Sequence, residues 1–219
     1  HYVKIQINTS LSLDFLTIFA LQMIRFFIVL VGVFCTLSTL FSQDKPANPK
    51  ALELFMDGKT FELKDNYLAA IEKYNEALKI EKAAGIYFAM AKLYDKVSQY
   101  QKSLEYGLEA LKLNNDNVAY KEHIADTYIM LGDYNNALKY LKEIADKNPD
   151  NINIIYNIGR MYEALKQPSE AIKYYELITE NYQYDETVLT RMAEIYEGYK
   201  DYSNMAATIE KLLILNPTD

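Results

Sequence analysis

Few residues in this chain have the chemistry of a catalytic or metal site. Its 219 residues include two histidines and a single cysteine, Cys35, and His1 is the first residue. His123 lies near Glu122 and Asp126 in a predicted helix, but a metal site there would need further ligands from other helices. We therefore predict an exposed histidine on a polar helix face, and no bound metal.

Enzymatic and nucleic-acid-binding functions are disfavoured by the same composition. A single usable histidine leaves no Ser-His-Asp set to assemble, and the sequence contains no glycine-rich phosphate loop. The net charge of −7 opposes binding to nucleic acid, because that affinity depends on neutralising phosphates. We therefore predict a protein that is not an enzyme and has no cofactor and no small-molecule substrate. Its predicted partner is another protein or a peptide.

One set of residue types returns along the chain at a nearly constant interval. When the sequence is aligned on one recurring aromatic residue, the successive spacings are 33, 34, 34 and 34 residues. A small residue lies three positions before each aromatic residue. The aromatic residues are Phe61, Tyr94, Tyr128, Tyr162 and Tyr196, and the small residues are Gly58, Ala91, Ala125, Gly159 and Ala193.

Each recurring position has a physical reason in a chain of helical hairpins. The small residues let the first helix of a hairpin approach its partner, where a larger side chain would overpack by roughly 1–3 kcal/mol. The aromatic residue fills the gap to the next hairpin. Pairs such as Asp65-Asn66, Gly132-Asp133 and Lys200-Asp201 place a side-chain oxygen where it can accept free backbone N–H groups of the second helix. Scarce glycine (7) and proline (5) also favour an all-helical chain.

These positions resemble the tetratricopeptide repeat family over residues 51–219. The resemblance implies an all-α, right-handed superhelical solenoid of five antiparallel helix pairs, with a concave groove lined largely by the first helices. Gly107, Ile144, Ile178 and Leu212 depart from the family pattern and are expected to loosen or widen the local packing without changing the architecture. Residues 43–50 are predicted to be a linker. The predicted repeats are 51–83, 84–117, 118–151, 152–185 and 186–219.

The resemblance also implies which side chains line the groove. Two of the chain's three arginines, Arg160 and Arg191, fall on this inner face, and their forked donors suit a carboxylate or an extended peptide backbone. One hypothesis is a peptide-binding patch; the other is a solvated face where these arginines pair with Glu163 and Glu194. The patch comprises Asn153, Tyr156, Asn157, Arg160 and Arg191, and a secondary groove comprises Phe55, Lys59, Phe88 and Lys92.

The N-terminal residues have the pattern of a targeting segment. Arg25 precedes an apolar run that ends near Ser42, so residues 23–42 are predicted to be a secretory signal. The alternative is that residues 15–41 form an uncleaved membrane helix that tethers the protein. Residues 1–22 are interpreted as an upstream or non-native segment. We therefore expect an exported protein, periplasmic or associated with the cell envelope.

The function predicted from these patterns is a protein-interaction scaffold that binds its partner in the groove. A composition rich in asparagine and lysine but poor in arginine resembles that of exported repeat proteins of Bacteroidota-type bacteria. The alternative is the recruiting arm of a larger protein with a catalytic or envelope-binding domain beyond Asp219. That alternative is suggested by Ile209, Leu212 and Leu213, which are expected to lack a neighbour at the end of the array.

Overall fold

The computed structural model describes residues 44–181 and 185–215, which contain ten α-helices and no strand. Each helix packs against the next one along the chain. The predicted all-α solenoid of five helix pairs is therefore confirmed for this part of the chain. The helices are α1 (Pro49–Leu63), α2 (Tyr67–Ile80), α3 (Ala84–Lys96), α4 (Tyr100–Leu113), α5 (Val118–Met130), α6 (Tyr134–Lys147), α7 (Ile152–Ala164), α8 (Pro168–Asn181), α9 (Glu186–Gly198) and α10 (Tyr202–Leu215).

The turn inside every hairpin has the same backbone geometry. One turn residue is left-handed, with φ of 55° at Asp65 and 76° at Gly132. The residue after it donates its backbone N–H to the carbonyl oxygen of the recurring aromatic residue, at 2.8 to 3.0 Å. This is the Schellman arrangement that ends helices. The aromatic residue therefore closes the first helix through its backbone as well as its ring. The left-handed residues are Asp65, Ser98, Gly132, Lys166 and Lys200.

Side-chain caps begin several second helices, as the turn pairs predicted. The carboxamide oxygen of Asn66 accepts the backbone N–H of Ala69 at 3.3 Å. The Asp133 carboxylate accepts the N–H of Asn136 at 3.1 Å. Such caps satisfy donors that the first turn of a helix leaves without partners.

The small residue of the first helix matches the size of its neighbour on the second helix. In repeats one and four it is a glycine, and a Cβ on Gly58 or Gly159 would overlap the ring of Tyr74 or Tyr175. Both tyrosines are fully buried. In the other three repeats the small residue is alanine, and the position of the tyrosine is occupied by Gly107, Leu141 or Ile209.

The departures from the family pattern do not loosen the interior as predicted. A Cβ on Gly107 would lie only 3.2 Å from Ile124, so the isoleucine of the next helix fills the space. Ile144 and Ile178 are each 1% exposed. Leu212 packs against the core that repeats three to five share. Loosened packing is therefore wrong for Gly107, Ile144 and Ile178, because neighbouring side chains fill the space around them.

The two ends of the array differ in part from expectation. Helix α1 begins at Pro49, within the predicted linker 43–50, because Asn48 caps it by accepting the N–H of Lys50 at 2.9 Å. At the other end Leu213 is 49% exposed, whereas Ile209 and Leu212 are partly buried, so only part of the expected apolar end is exposed.

The predicted N-terminal segments 1–22, 23–42 and 15–41 lie outside the described residues. Within the described residues, none of the helices has the length and apolar character that crossing a membrane requires.

Candidate functional site

Three residues of the predicted patch, Asn157, Arg160 and Arg191, line two depressions along the first helices, whereas Asn153 and Tyr156 border neither of them. One depression, of about 330 Å³, is bordered by Asp95 at the end of α3, Asp126 of α5 and Arg160 of α7. A second depression of about 330 Å³ is bordered by Arg160 and Glu163 of α7 and by Arg191 of α9. Repeats two to five therefore contribute to a continuous surface, and Arg160 belongs to both of its depressions.

The secondary groove at repeats one and two consists of cations placed on aromatic rings. The Lys59 ammonium lies 5.8 Å from the centroid of the Phe55 ring, and the Lys92 ammonium lies 5.5 Å from that of Phe88. At these distances the ring face attracts the cation. The structure therefore brings the four predicted residues together in two pairs.

Glu62 holds the charges of repeat one together. Its carboxylate accepts the Tyr74 hydroxyl at 2.9 Å and pairs with Lys59 at 3.0 Å and with Lys96 at 3.1 Å. Burial opposes ionisation of Glu62, but hydrogen bonds from these three donors outweigh it, so that the pKa of this carboxyl is lowered. In repeat one the groove lysine Lys59 is thus bound to a carboxylate of its own repeat.

Repeat four has the same arrangement of an aromatic ring, a buried tyrosine and a glutamate as repeat one. The Tyr156 and Tyr175 rings lie 5.7 Å apart, as do those of Phe55 and Tyr74. The Tyr175 hydroxyl donates to the Glu163 carboxylate, as Tyr74 does to Glu62. The two repeats therefore have equivalent buried tyrosine–glutamate pairs.

Glu163 pairs with an arginine of repeat five. The Arg191 guanidinium lies 2.9 Å from Glu163 and 3.1 Å from Glu194. Arg160 stands three residues before Glu163, as Lys59 stands before Glu62, yet it makes no salt bridge with any described residue. Its side chain is exposed. Arg160 borders the groove instead.

The two arginines of the predicted patch differ in their ion pairs. Arg191 forms the ion pairs with Glu163 and Glu194 that the solvated-face hypothesis predicts, and Arg160 does not. Asn153 is exposed and Asn157 is partly buried, and within the described part of the chain neither carboxamide group makes a hydrogen bond. Tyr156 packs on Tyr175. The donors open to a partner are thus Asn153, Asn157 and Arg160.

His123 is not the exposed residue that the sequence predicts. Its ring is half-buried, its Nε2 lies 2.9 Å from the Ser103 hydroxyl, and it meets the Phe88 ring edge-on at 5.5 Å. Burial lowers the pKa of His123; Asp95 raises it and Lys92 lowers it by smaller amounts. The prediction was wrong because Ser103 replaces alanine at its position, and this hydroxyl gives the imidazole an inward partner.

Two features of this surface were missed by sequence reasoning, although the first has a signal. Glycine, glutamate and tyrosine recur at identical spacings in repeats one and four, as Gly58, Glu62 and Tyr74 and as Gly159, Glu163 and Tyr175. The second feature is that Asp95, two repeats away from Arg160, borders the same depression. No local pattern marks it, because Asp95 lies outside the positions that the resemblance assigns to the groove.

Stacked helical hairpins with a groove along their first helices define a repeat protein of the helical-solenoid class. Two family models described as tetratricopeptide repeat match residues 88–152 and 128–195. The chain belongs to the tetratricopeptide repeat family. Repeats of this family are protein-interaction modules, and this chain is a protein-interaction scaffold of that type. A search of curated proteins returned no match.

Solved structures share the fold at low sequence identity. A tetratricopeptide repeat protein from Parabacteroides merdae is 20% identical, with a TM-score of 0.67 over 78% of this chain and 69% of that one. A point mutant of MamA is 18% identical, with a TM-score of 0.65 over 78% of this chain and 95% of that one. MamA from Desulfovibrio magneticus is 14% identical, with a TM-score of 0.66 over 80% and 99%. These likenesses concern the fold alone.

Proposed function

We propose that this chain is a non-enzymatic scaffold that binds a peptide segment of a partner protein in the groove of repeats three to five. The observation that carries the proposal is the Arg160 guanidinium, which borders both depressions of the groove and has no salt bridge with a described residue. An arginine left without a carboxylate on such a surface is a forked donor for a partner. Asn153 and Asn157 lie on the same helix and add donors and acceptors for a peptide backbone.

The secondary groove is a weaker candidate for the same role. Lys59 is occupied by Glu62 and lies over Phe55, so a ligand would have to displace contacts within the protein. A partner gains more from a donor that gives up no existing ion pair. The groove of repeats three to five is therefore the site we favour.

Site-specific photo-crosslinking in the cells that produce the protein tests this function. A photoreactive benzoylphenylalanine is introduced at Asn153 in the groove, and a matched one at Leu177, which is 44% exposed on the second helix of the same repeat. We expect a crosslinked partner from position 153 and none from position 177. Crosslinking of equal yield at both positions, or of the outer position alone, would refute the groove as the site.

We also propose that the protein acts after export, in the periplasm or cell envelope. The support is the sequence pattern of residues 23–42, with Arg25 before an apolar run. Intact mass measurement of the protein from a cell-envelope extract tests this location. We expect the mass of a chain that begins just after Ser42. The mass of a chain that retains residues 15–41 would favour the membrane tether instead.

A further inference from the structure

The depression between α3, α5 and α7 is lined by side chains of opposite charge. Asp95 comes from α3, Asp126 and Ile129 from α5, and Asn157 and Arg160 from α7. A volume of about 330 Å³ accommodates a few side chains of a ligand. The surface is thus dipolar and not simply cationic, as the arginine pattern alone would suggest.

None of these charged side chains is neutralised by the protein. Asp95, Asp126 and Arg160 make no salt bridge in the described ranges 44–181 and 185–215, although they border one depression. Partial burial, together with the charges of Glu122 and Asp95, raises the pKa of Asp126. A cation bound beside the two aspartates would therefore relieve an unfavourable arrangement of charge.

Equivalent positions in repeats one and four differ in which cations their glutamate binds. Glu62 pairs with Lys59 of its own helix at 3.0 Å and with Lys96 of repeat two at 3.1 Å. Arg160 has the same spacing to Glu163, but among the described residues only Arg191 of repeat five pairs with that carboxylate, at 2.9 Å. The Tyr175 hydroxyl donates to one oxygen of Glu163 and Arg191 binds the other. Both oxygens of Glu163 are thus in use without Arg160.

We propose that this depression binds an extended segment carrying one basic and one acidic side chain, the basic one against Asp95 and Asp126 and the acidic one against Arg160 and Asn157. Arg191 is a positioning residue that keeps Arg160 available by holding Glu163. This inference rests on the proposed function and specifies the chemistry of the bound peptide.

The distance between helices sets the spacing of the two charges. Asp126 and Arg160 come from the first helices of adjacent repeats, α5 and α7, and roughly 8–10 Å is about the closest that two helix axes approach. An extended chain advances about 3.3 Å per residue. The basic and acidic residues of the ligand should therefore stand about three positions apart, and the peptide should be extended rather than helical.

Selection from a displayed library of random dodecapeptides on the full chain tests the proposal. Peptides that carry a basic and an acidic residue about three positions apart should be enriched. Arg160→Ala should remove the preference for the acidic residue alone, and the double variant Asp95→Asn with Asp126→Asn should remove the preference for the basic residue alone. Enriched peptides without this charge pair would overturn the inference while leaving the proposed function intact. An absence of enriched peptides, together with no groove crosslink at position 153, would instead overturn the function.

The positioning role of Arg191 is tested by rescue with the best selected peptide. Arg191→Ala should weaken binding roughly tenfold, about as much as Arg160→Ala, because Arg160 then turns to Glu163. Adding Glu163→Gln to Arg191→Ala should restore binding, since no carboxylate remains to capture Arg160. The double variant lacks the salt bridge between Arg191 and Glu163, just as the single variant does. A loss of binding caused only by the missing salt bridge would therefore persist in the double variant. Persistent weak binding would refute the role, and Arg191→Met provides the same comparison if the alanine variant does not fold.

Discussion

Repeats one and four have the same buried arrangement but present different surfaces. In each, a glycine admits a buried tyrosine whose hydroxyl donates to a glutamate, and an aromatic ring lies 5.7 Å from that tyrosine. In repeat one the glutamate pairs with Lys59 of its own helix and with Lys96 of the next repeat, whereas in repeat four, among the described residues, it pairs only with Arg191 of the next repeat. The comparison shows that the same buried pair can leave the cation of its own helix bound, as in repeat one, or open, as in repeat four.

The largest expected effect concerns the glycines that the two repeats share. Gly58→Ala and Gly159→Ala should each destabilise the protein by about 1–3 kcal/mol, because the added methyl group overlaps a buried tyrosine ring that has no room to move. Chemical denaturation measures the loss. Gly198→Ala is the control, since a Cβ there meets no atom within 4 Å. Similar losses in the control and in the two variants would contradict the packing account.

The hydroxyls of Tyr74 and Tyr175 should contribute nearly equally to the stability of the protein. Tyr74→Phe and Tyr175→Phe each remove a donor to a charged carboxylate, and each should cost about 1–2 kcal/mol in the free energy of unfolding. Tyr140→Phe, at a partly buried tyrosine of repeat three, serves as a control and should change stability by less than about 0.5 kcal/mol. If only one of the two variants were destabilised, the equivalence of the repeats would fail.

The closed network of repeat one should be sensitive to acid. Because the pKa of Glu62 is lowered in the folded state, the stabilisation is present above its ordinary value of 4.5 and is lost as the pH falls through the lower folded value. Glu62→Gln should therefore be less stable than wild type at pH 7 by about 1–2 kcal/mol, and the difference should shrink in acid. Thermal unfolding across this range measures it. A difference that does not change with pH would contradict the ionised network.

The smallest expected effect on stability is at His123 in repeat three, between repeats one and four. Burial lowers its pKa in the folded state, so its neutral form stabilises the protein above the ordinary value of 6.5, and this contribution falls as the pH drops below that value. His123→Gln should flatten the pH dependence of the melting temperature between pH 7 and 5 by a small amount. An unchanged pH profile in the variant would show that His123 does not contribute.

The fold could be predicted because its causes recur in the sequence, whereas the site depends on differences between repeats. The aromatic residues at Tyr94 and Tyr128 return at a fixed interval, and each occupies the same place in its hairpin. The left-handed turns at Ser98 and Lys166 gave no such signal, since glycine occupies only one of these five positions.

The state of Arg160 was beyond prediction from local sequence. An interval of three residues to Glu163 favours an ion pair within the helix, and this pair forms at the equivalent place in repeat one. In repeat four Arg191, 28 residues after Glu163, pairs with the carboxylate, and Arg160 does not. The local sequence does not indicate this contact, because it depends on the packing of one hairpin on the next.

Guanidinium NMR of the full chain tests whether Arg191 is salt-bridged and Arg160 is not. The protein has only three arginines, so their signals can be distinguished. Arg191 should show the hindered rotation and slow hydrogen exchange of a salt-bridged guanidinium group, and Arg160 should show fast exchange. In Arg191→Ala, the Arg160 signal should become protected as it turns to Glu163. Equal protection of both groups in the wild-type protein, or an Arg160 signal that does not change in the variant, would contradict the account.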